Sequence, residues 1–275
     1  METNNRDYLS AAESLSCGAM ILSFPFRYPT ALHLIFESLS YFVGFRLYLW
    51  RRKSSGDVVN YEQRMWVVAA AIAGAALGSK ILNWFVEPQL LLRNWHNPYF
   101  LMSGKTVVGG LIGGLFAVEW TKRRIGVTER TGDLFAVPLA IGLAVGRVGC
   151  FLAGLQDDTY GIATTLPWGV DFGDGLARHP TQLYEILWLA LVVVIVLRLS
   201  RKPHREGDLF RVFMVAYFAF RLTVEFLKPG TPIGGLTAIQ WASAAMLIYY
   251  ARDLPRLWQL IISDDQNTEA ETAKG

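Results

Sequence analysis

The chain has 275 residues, of which 52% are hydrophobic and 18% charged, and a net charge of +3 at neutral pH. A soluble domain carries about 25% charged residues, so this composition excludes an ordinary water-soluble globule. It also excludes a nucleic-acid binder, since no basic tract is clustered and interleaved with aromatics, and two cysteines exclude a disulfide framework.

Apolar runs long enough to cross a bilayer recur at about 31–50, 64–86, 98–120, 132–152, 180–199, 208–227 and 235–251. The predicted fold class is therefore an all-α integral membrane protein with seven transmembrane helices. Residues 1–30 read as an extracytoplasmic arm, 31–251 as the membrane domain and 252–275 as a cytoplasmic tail ending in the polar "SDDQNTEAETAKG". The first run begins late and is followed by Arg51, Arg52 and Lys53, the reverse of a cleaved signal peptide; "SLSC" at 14–17 has no apolar segment ahead of it. Lys and Arg concentrate after runs one, three and five and in the tail, which places the N-terminus outside and the C-terminus in the cytoplasm.

In chain order, run one carries Glu37, with His33 one turn earlier. Run two holds "GAALGSK", in which Gly74 and Gly78 have the spacing of close-packed membrane helices, and Lys80. Run three holds "GKTVVGGLIGGLF": Gly109 and Gly110 either let another helix approach or let a lipid headgroup reach the backbone, and Lys105 and Glu119 flank them. Run four carries Arg147 as the one charge in "LAVGRVGCF". Charges within membrane segments cost about 2.5–3.5 kcal/mol on insertion scales, so they face a cavity or a partner. The following loop, 152–179, has Gly and Asp turn signals and a β-like "LPWGVDF", and is read as a periplasmic lid between the fourth and fifth helices. It leads to "HPTQLYE", where Pro180 can open the next helix and Gln182, Tyr184 and Glu185 fall in its first turns. In run six, Tyr217, Arg221 and Glu225 are spaced four apart and share a face. Two buried arginines, Arg147 and Arg221, on different helices suggest a shared anion, and phosphate suits guanidinium best. No metal or cofactor is expected, since the four histidines are dispersed and no CxxC or HExxH occurs.

These motifs together resemble one family. "GRVGCFLAG" at 146–154, "YG" at 160–161, "LPWGV" at 166–170, "HPTQLYE" at 179–185 and "YFAFRLTVEF" at 217–226 are similar, in order, to the signatures of prolipoprotein diacylglyceryl transferases. The resemblance implies transfer of the diacylglyceryl group of phosphatidylglycerol to the lipobox cysteine of prolipoprotein signal peptides, with release of glycerol phosphate, at the outer side of the bacterial inner membrane. It implies catalytic roles for Arg147, Arg221, Tyr217 and Glu185. It implies substrate binding by Glu37, Gly109, Gly110, Gly146, Gly149, Gly154, Gly161, His179, Gln182, Tyr184 and Glu225, with membrane lipids as further partners.

Departures from the family pattern fall on the thiol-activating half. Val108 stands where the family carries a third-helix histidine, Cys150 where it carries Asn, and Leu155 where it carries Glu. Valine moves no proton. Three readings follow: a diverged active transferase in which Tyr217, Glu37, Glu185 or His179 helps ionise the thiol, a paralogue serving another acceptor, or a non-catalytic phospholipid-binding protein.

Overall fold

The computed structural model of this chain describes Phe26 and residues 29–262; the expected N-terminal arm and the polar end of the tail lie almost wholly outside these residues. The long helices are α1 (Pro29–Ser55), α2 (Tyr61–Val86), α5 (Val107–Arg124), α6 (Asp133–Ala153), α7 (Thr181–Leu199), α8 (Asp208–Val224) and α9 (Ala238–Tyr250). Shorter helices are α3 (Pro88–Asn94), α4 (Pro98–Met102) and α10 (Leu254–Ile262). Each of the seven apolar runs thus yields one long helix. Run three is divided, however: Pro98 opens α4, Gly104 turns with φ of +60°, and the long helix begins only after Thr106. Lys105 therefore lies outside the helix.

Local chemistry marks several helix starts. Asn60 and Gln63 form a reciprocal capping box at α2, Thr237 and Gln240 another at α9, and the Thr106 hydroxyl accepts from Gly109 N at α5. Lys122, Arg123 and Arg124 close α5, where cations meet the negative end of the helix dipole. Among the described residues, three segments, Tyr61–Val86, Asp133–Asp157 and Thr181–Leu199, are long and apolar enough to cross a membrane. The thirteen residues of α9 reach only about 20 Å at 1.5 Å per residue, short of a ~30 Å hydrocarbon core.

Two helix pairs have the most extensive contacts, α2 with α5 and α1 with α6. Glycine explains the first. A Cβ on Gly78 would meet Gly109 O at 2.4 Å, and one on Gly113 would meet Gly74 O at 2.2 Å, so the backbones touch directly. Around α7, α8 and α9 lies the core: Leu189, Val192, Val196, Phe213, Met214, Phe218 and Met246 are buried together, and Val108 of α5 joins them. Many large apolar side chains instead face outward, among them Leu34, Ile35 and Phe42 of α1, Ile72 and Leu77 of α2, and Leu187 and Leu191 of α7. An unpaired apolar surface of this extent suits lipid contact rather than water.

Beyond α6 a 3-10 turn (Gly154–Asp157) opens the loop expected as a lid. Its β content is small: β1 (Val170–Asp171) pairs antiparallel with β2 (Ala177–Arg178). The Asp171 carboxylate accepts from Gly173, Asp174 and Gly175 N and organises the turn between them. Phe172 is buried and meets Phe151 edge-on, which pins the loop to α6. Gly161 N donates to His179 O and Ile162 N to Leu227 O, so the loop is also tied to the residues after α8. The tail expected from 252 onward begins as helix α10, whose Leu257 is buried in the core.

Candidate active site

Arg147 sits in the penultimate turn of α6, Glu185 in the first turns of α7, and Tyr217 and Arg221 in the last turns of α8. The antiparallel sequence of helices brings those ends to one level. Glu225 follows on the 3-10 turn Glu225–Leu227. Arg147, Glu185, Tyr217, Arg221 and Glu225 meet there, and all five are buried.

Their geometry differs from the expectation in one respect. The anion that the two arginines share in this structure is a carboxylate. Glu185, 1% exposed, receives Arg147 Nε at 2.9 Å and Arg221 Nη1 at 3.2 Å on the same oxygen, Oε2. Tyr217 donates to its other oxygen at 2.8 Å, and Arg221 Nη2 reaches Glu225 at 2.7 Å. Two carboxylates thus offset two guanidiniums, as burial demands. The pairing is incomplete at its edge: among the described residues, Arg221 Nε has no hydrogen-bond partner although it is buried, and neither has Gln182 Oε1. Orphaned polar atoms at such a site are where an incoming ligand gains most.

Around this cluster the other predicted residues take defined places. Gln182 donates to Thr159 Oγ1, which itself donates to Asp157. His179 Nδ1 lies 3.1 Å from the Tyr184 hydroxyl, which also accepts from Trp168 Nε1 of the loop. Glu37 is a separate cluster on α1, ion-paired to Lys105 and accepting from Tyr41 at 3.1 Å. The motif glycines have packing or turn roles. Gly109 lies against Gly78, with Gly110 one position along the same seam. Gly146 and Gly149 lie under Ser40 and Phe36 of α1, Gly154 ends α6 with φ of +61°, and a Cβ on Gly161 would meet His179 O at 2.7 Å. Val108 is packed in the core, so the position carries no hidden polar function.

Three features escape the sequence reading. Lys228, just past the end of run six, is partly buried beside the cluster; burial and the neighbouring Arg221 and Arg147 pull its ammonium down to about 7. His33 of α1 lies 3.1 Å from Asp157 and 3.5 Å from Glu37. Cys150 Sγ lies 3.6 Å from Arg147 Nη1, and donor atoms of His33, Cys150 and Asp157 all fall within 4.8 Å of one another. That trio has the chemistry of metal ligands, but the Arg147 guanidinium against the sulfur opposes a divalent cation. Only three-dimensional proximity could reveal the trio, because 117 positions separate His33 from Cys150 and 124 separate it from Asp157.

The fold and site together define a helical protein with membrane-capable spans and a buried guanidinium–carboxylate cluster where several helix ends meet. The family model of prolipoprotein diacylglyceryl transferase matches residues 34–252. The chain belongs to the prolipoprotein diacylglyceryl transferase family. Relatives named phosphatidylglycerol–prolipoprotein diacylglyceryl transferase include one from Glaesserella parasuis, 33% identical over 77% of this chain and 84% of the relative. One from Methylobacillus flagellatus is 31% identical over 86% of this chain and 96% of its own length. Another, from Bordetella parapertussis, is 33% identical over 80% and 88% respectively.

Proposed function

We propose that this protein transfers the diacylglyceryl group of phosphatidylglycerol to the lipobox cysteine of prolipoprotein signal peptides and releases glycerol phosphate. It does so as a multi-pass protein of the bacterial inner membrane, with residues 31–251 as the membrane domain, seven spans and the N-terminus outside. In that orientation the Arg147–Glu185–Arg221 cluster lies near the extracytoplasmic surface under loop 152–179, and lipid enters from the surrounding bilayer.

The observation that carries this reading is the convergence of Arg147 and Arg221 in a buried site, with Arg221 Nε unpartnered among the described residues. Thiolate attack on the glycerol carbon breaks its bond to the phosphate oxygen and leaves a phosphate monoester. Fixed guanidiniums stabilise the charge that develops on that leaving group, and do so better in a low-dielectric pocket than in water. Glu185 and Tyr217 hold both guanidiniums in place before the lipid arrives, which removes a reorganisation cost. Lys228 beside the arginines, Gln182 bonded to Thr159, and the His179–Tyr184 pair under Trp168 complete the headgroup surroundings. The displacement calls for no cofactor.

Purified protein given phosphatidylglycerol and a lipobox cysteine peptide is expected to form a diacylglyceryl thioether, seen by mass spectrometry, together with free glycerol phosphate. Arg147→Ala is expected to abolish both products while leaving membrane insertion intact. Phospholipid binding without any adduct would instead assign the protein to another acceptor or to lipid binding alone.

A further inference from the structure

The transfer needs a group that removes the acceptor's thiol proton, and most candidates are already committed. Tyr217 is fully buried and donates to Glu185. Glu185 is held by two arginines and Glu37 by Lys105. His179 faces the Tyr184 hydroxyl. Val108 has no titratable group at all.

His33 is placed differently. It lies near the start of α1, the end of that helix closest to the cluster, and its side chain is 23% exposed. Nδ1 lies 3.1 Å from Asp157 Oδ1, within reach of a hydrogen bond although not aligned as one. Asp157 is fixed in turn by the Thr159 hydroxyl at 2.5 Å on its other oxygen. On the far side of the ring, the one contact of Nε2 among the described residues is a loose 3.5 Å to Glu37, which Lys105 also holds. Cys150 measures the distance to the lipid site: its sulfur is within 4.8 Å of the dyad's donor atoms and 3.6 Å from Arg147. One side chain therefore separates an imidazole–carboxylate pair from the phosphate clamp.

We propose that His33, oriented by Asp157, is the base that ionises the acceptor thiol; this rests on the transferase reading above. The thiol proton passes to Nε2 and the sulfur's electron pair forms the new S–C bond. The C–O bond breaks with its electron pair on the phosphate oxygen, and the imidazolium then releases its proton to the phosphate monoester or to water. Asp157 stabilises the imidazolium and selects the tautomer with Nε2 unprotonated, the usual division of labour in a His–carboxylate pair. Apo contacts of this kind commonly align only when substrate is bound. His33 is a catalytic residue in this account and Asp157 a positioning residue.

The test uses full-length protein in phosphatidylglycerol-containing nanodiscs and two peptides, one with cysteine and one with selenocysteine at the acceptor position. A selenol is ionised at neutral pH and needs no base. His33→Gln is expected to slow the cysteine peptide by roughly 10²–10⁴-fold, the usual worth of a general base, while the selenocysteine peptide stays within a few-fold of wild type. Asp157→Asn is expected to show the same pattern with a smaller loss. An undiminished cysteine rate in His33→Gln overturns the proposal and leaves the transferase reading standing. Equal loss with both peptides also overturns it, since that signature belongs to a structural role. Loss of wild-type activity on adding EDTA would assign His33, Cys150 and Asp157 to a metal ion instead. No adduct from wild-type protein with either peptide would remove both the transferase reading and this one.

Discussion

Replacing Glu185 with Gln tests the cluster most directly. The substitution keeps the side chain's shape and one hydrogen-bond acceptor but removes the charge that Arg147 and Arg221 both contact, at 2.9 and 3.2 Å. At an effective dielectric of 20, two unit charges about 4 Å apart attract by about 4 kcal/mol, so the two pairs are worth about 8 kcal/mol before desolvation. Desolvation of the carboxylate disappears with its charge, and Glu225 continues to hold Arg221. The net loss expected is therefore the ~3–5 kcal/mol typical of breaking a buried pair from one side. Thermal unfolding in detergent should show this as a drop of roughly 6–20 °C for a domain of this size. Arg147, left without a carboxylate partner, and Arg221, left with Glu225 alone, should also bind anions more readily, so phosphatidylglycerol should raise the variant's unfolding temperature more than the wild type's. Saturation a hundredfold above Kd returns about 2.7 kcal/mol. A Glu185→Gln protein as stable as wild type, with no added response to phosphatidylglycerol, would refute the idea that Glu185 is the counter-charge that holds the two arginines.

Arg221→Lys should cut turnover at least 100-fold with little change in fold, because an ammonium cannot reproduce two oriented contacts to Glu185 and Glu225; adduct formation by mass spectrometry reads it. Val108→His should cost about 1–3 kcal/mol by overpacking, with no gain in activity, since the site is surrounded by core side chains; thermal unfolding and the same transfer assay check both halves. Gly113→Val should separate α2 from α5 and prevent accumulation of folded protein, because its Cβ would sit 2.2 Å from Gly74 O; yield after membrane extraction reports this. Lys228 gains its proton as pH falls through about 7, so phosphatidylglycerol binding should strengthen on the acid side of neutrality, and Lys228→Met should flatten that dependence in a binding titration. At the other end of α1, Asp57 bridges Arg52 and Arg64 between α1 and α2. Burial raises its carboxyl, but the Arg64 contact outweighs this and holds it below the usual range. Its contribution is therefore present above the unfolded carboxyl's value near 3.9 and is lost as pH falls through the lower folded value, so Asp57→Asn should show less acid sensitivity in unfolding.

The helical character of the chain and its main charged residues were legible because each rests on a local pattern. Apolar length marks a helix, and a charge inside such a run must find a partner, which is how Arg147, Glu185 and Arg221 could be grouped before any contact was known. The i, i+4 pair Arg221–Glu225 needed only helical periodicity. What could not be read was the partner of each charge. Nothing local says that Arg147 meets Glu185 rather than a ligand, or that His33 of α1 meets Asp157 beyond the end of α6. The break at Ser103–Thr106 was obscured by flanking apolar residues, and Lys228 by its position one residue past the run. The glycines illustrate a different limit: composition could not separate helix approach from lipid approach at Gly109, whereas its 2.3 Å virtual-Cβ distance to Gly78 O does.

The hydrogen bond from Ile162 N to Leu227 O has a mechanical consequence. Leu227 lies between Glu225, which steadies Arg221, and Lys228, which borders the same cluster. A peptide that prises the loop open near Ile162 must either break this bond or drag Leu227 outward with it. In the second case, arrival of one substrate would loosen the grip on the other's headgroup through a lever only a few residues long, and lipid release would follow peptide entry without a separate gate.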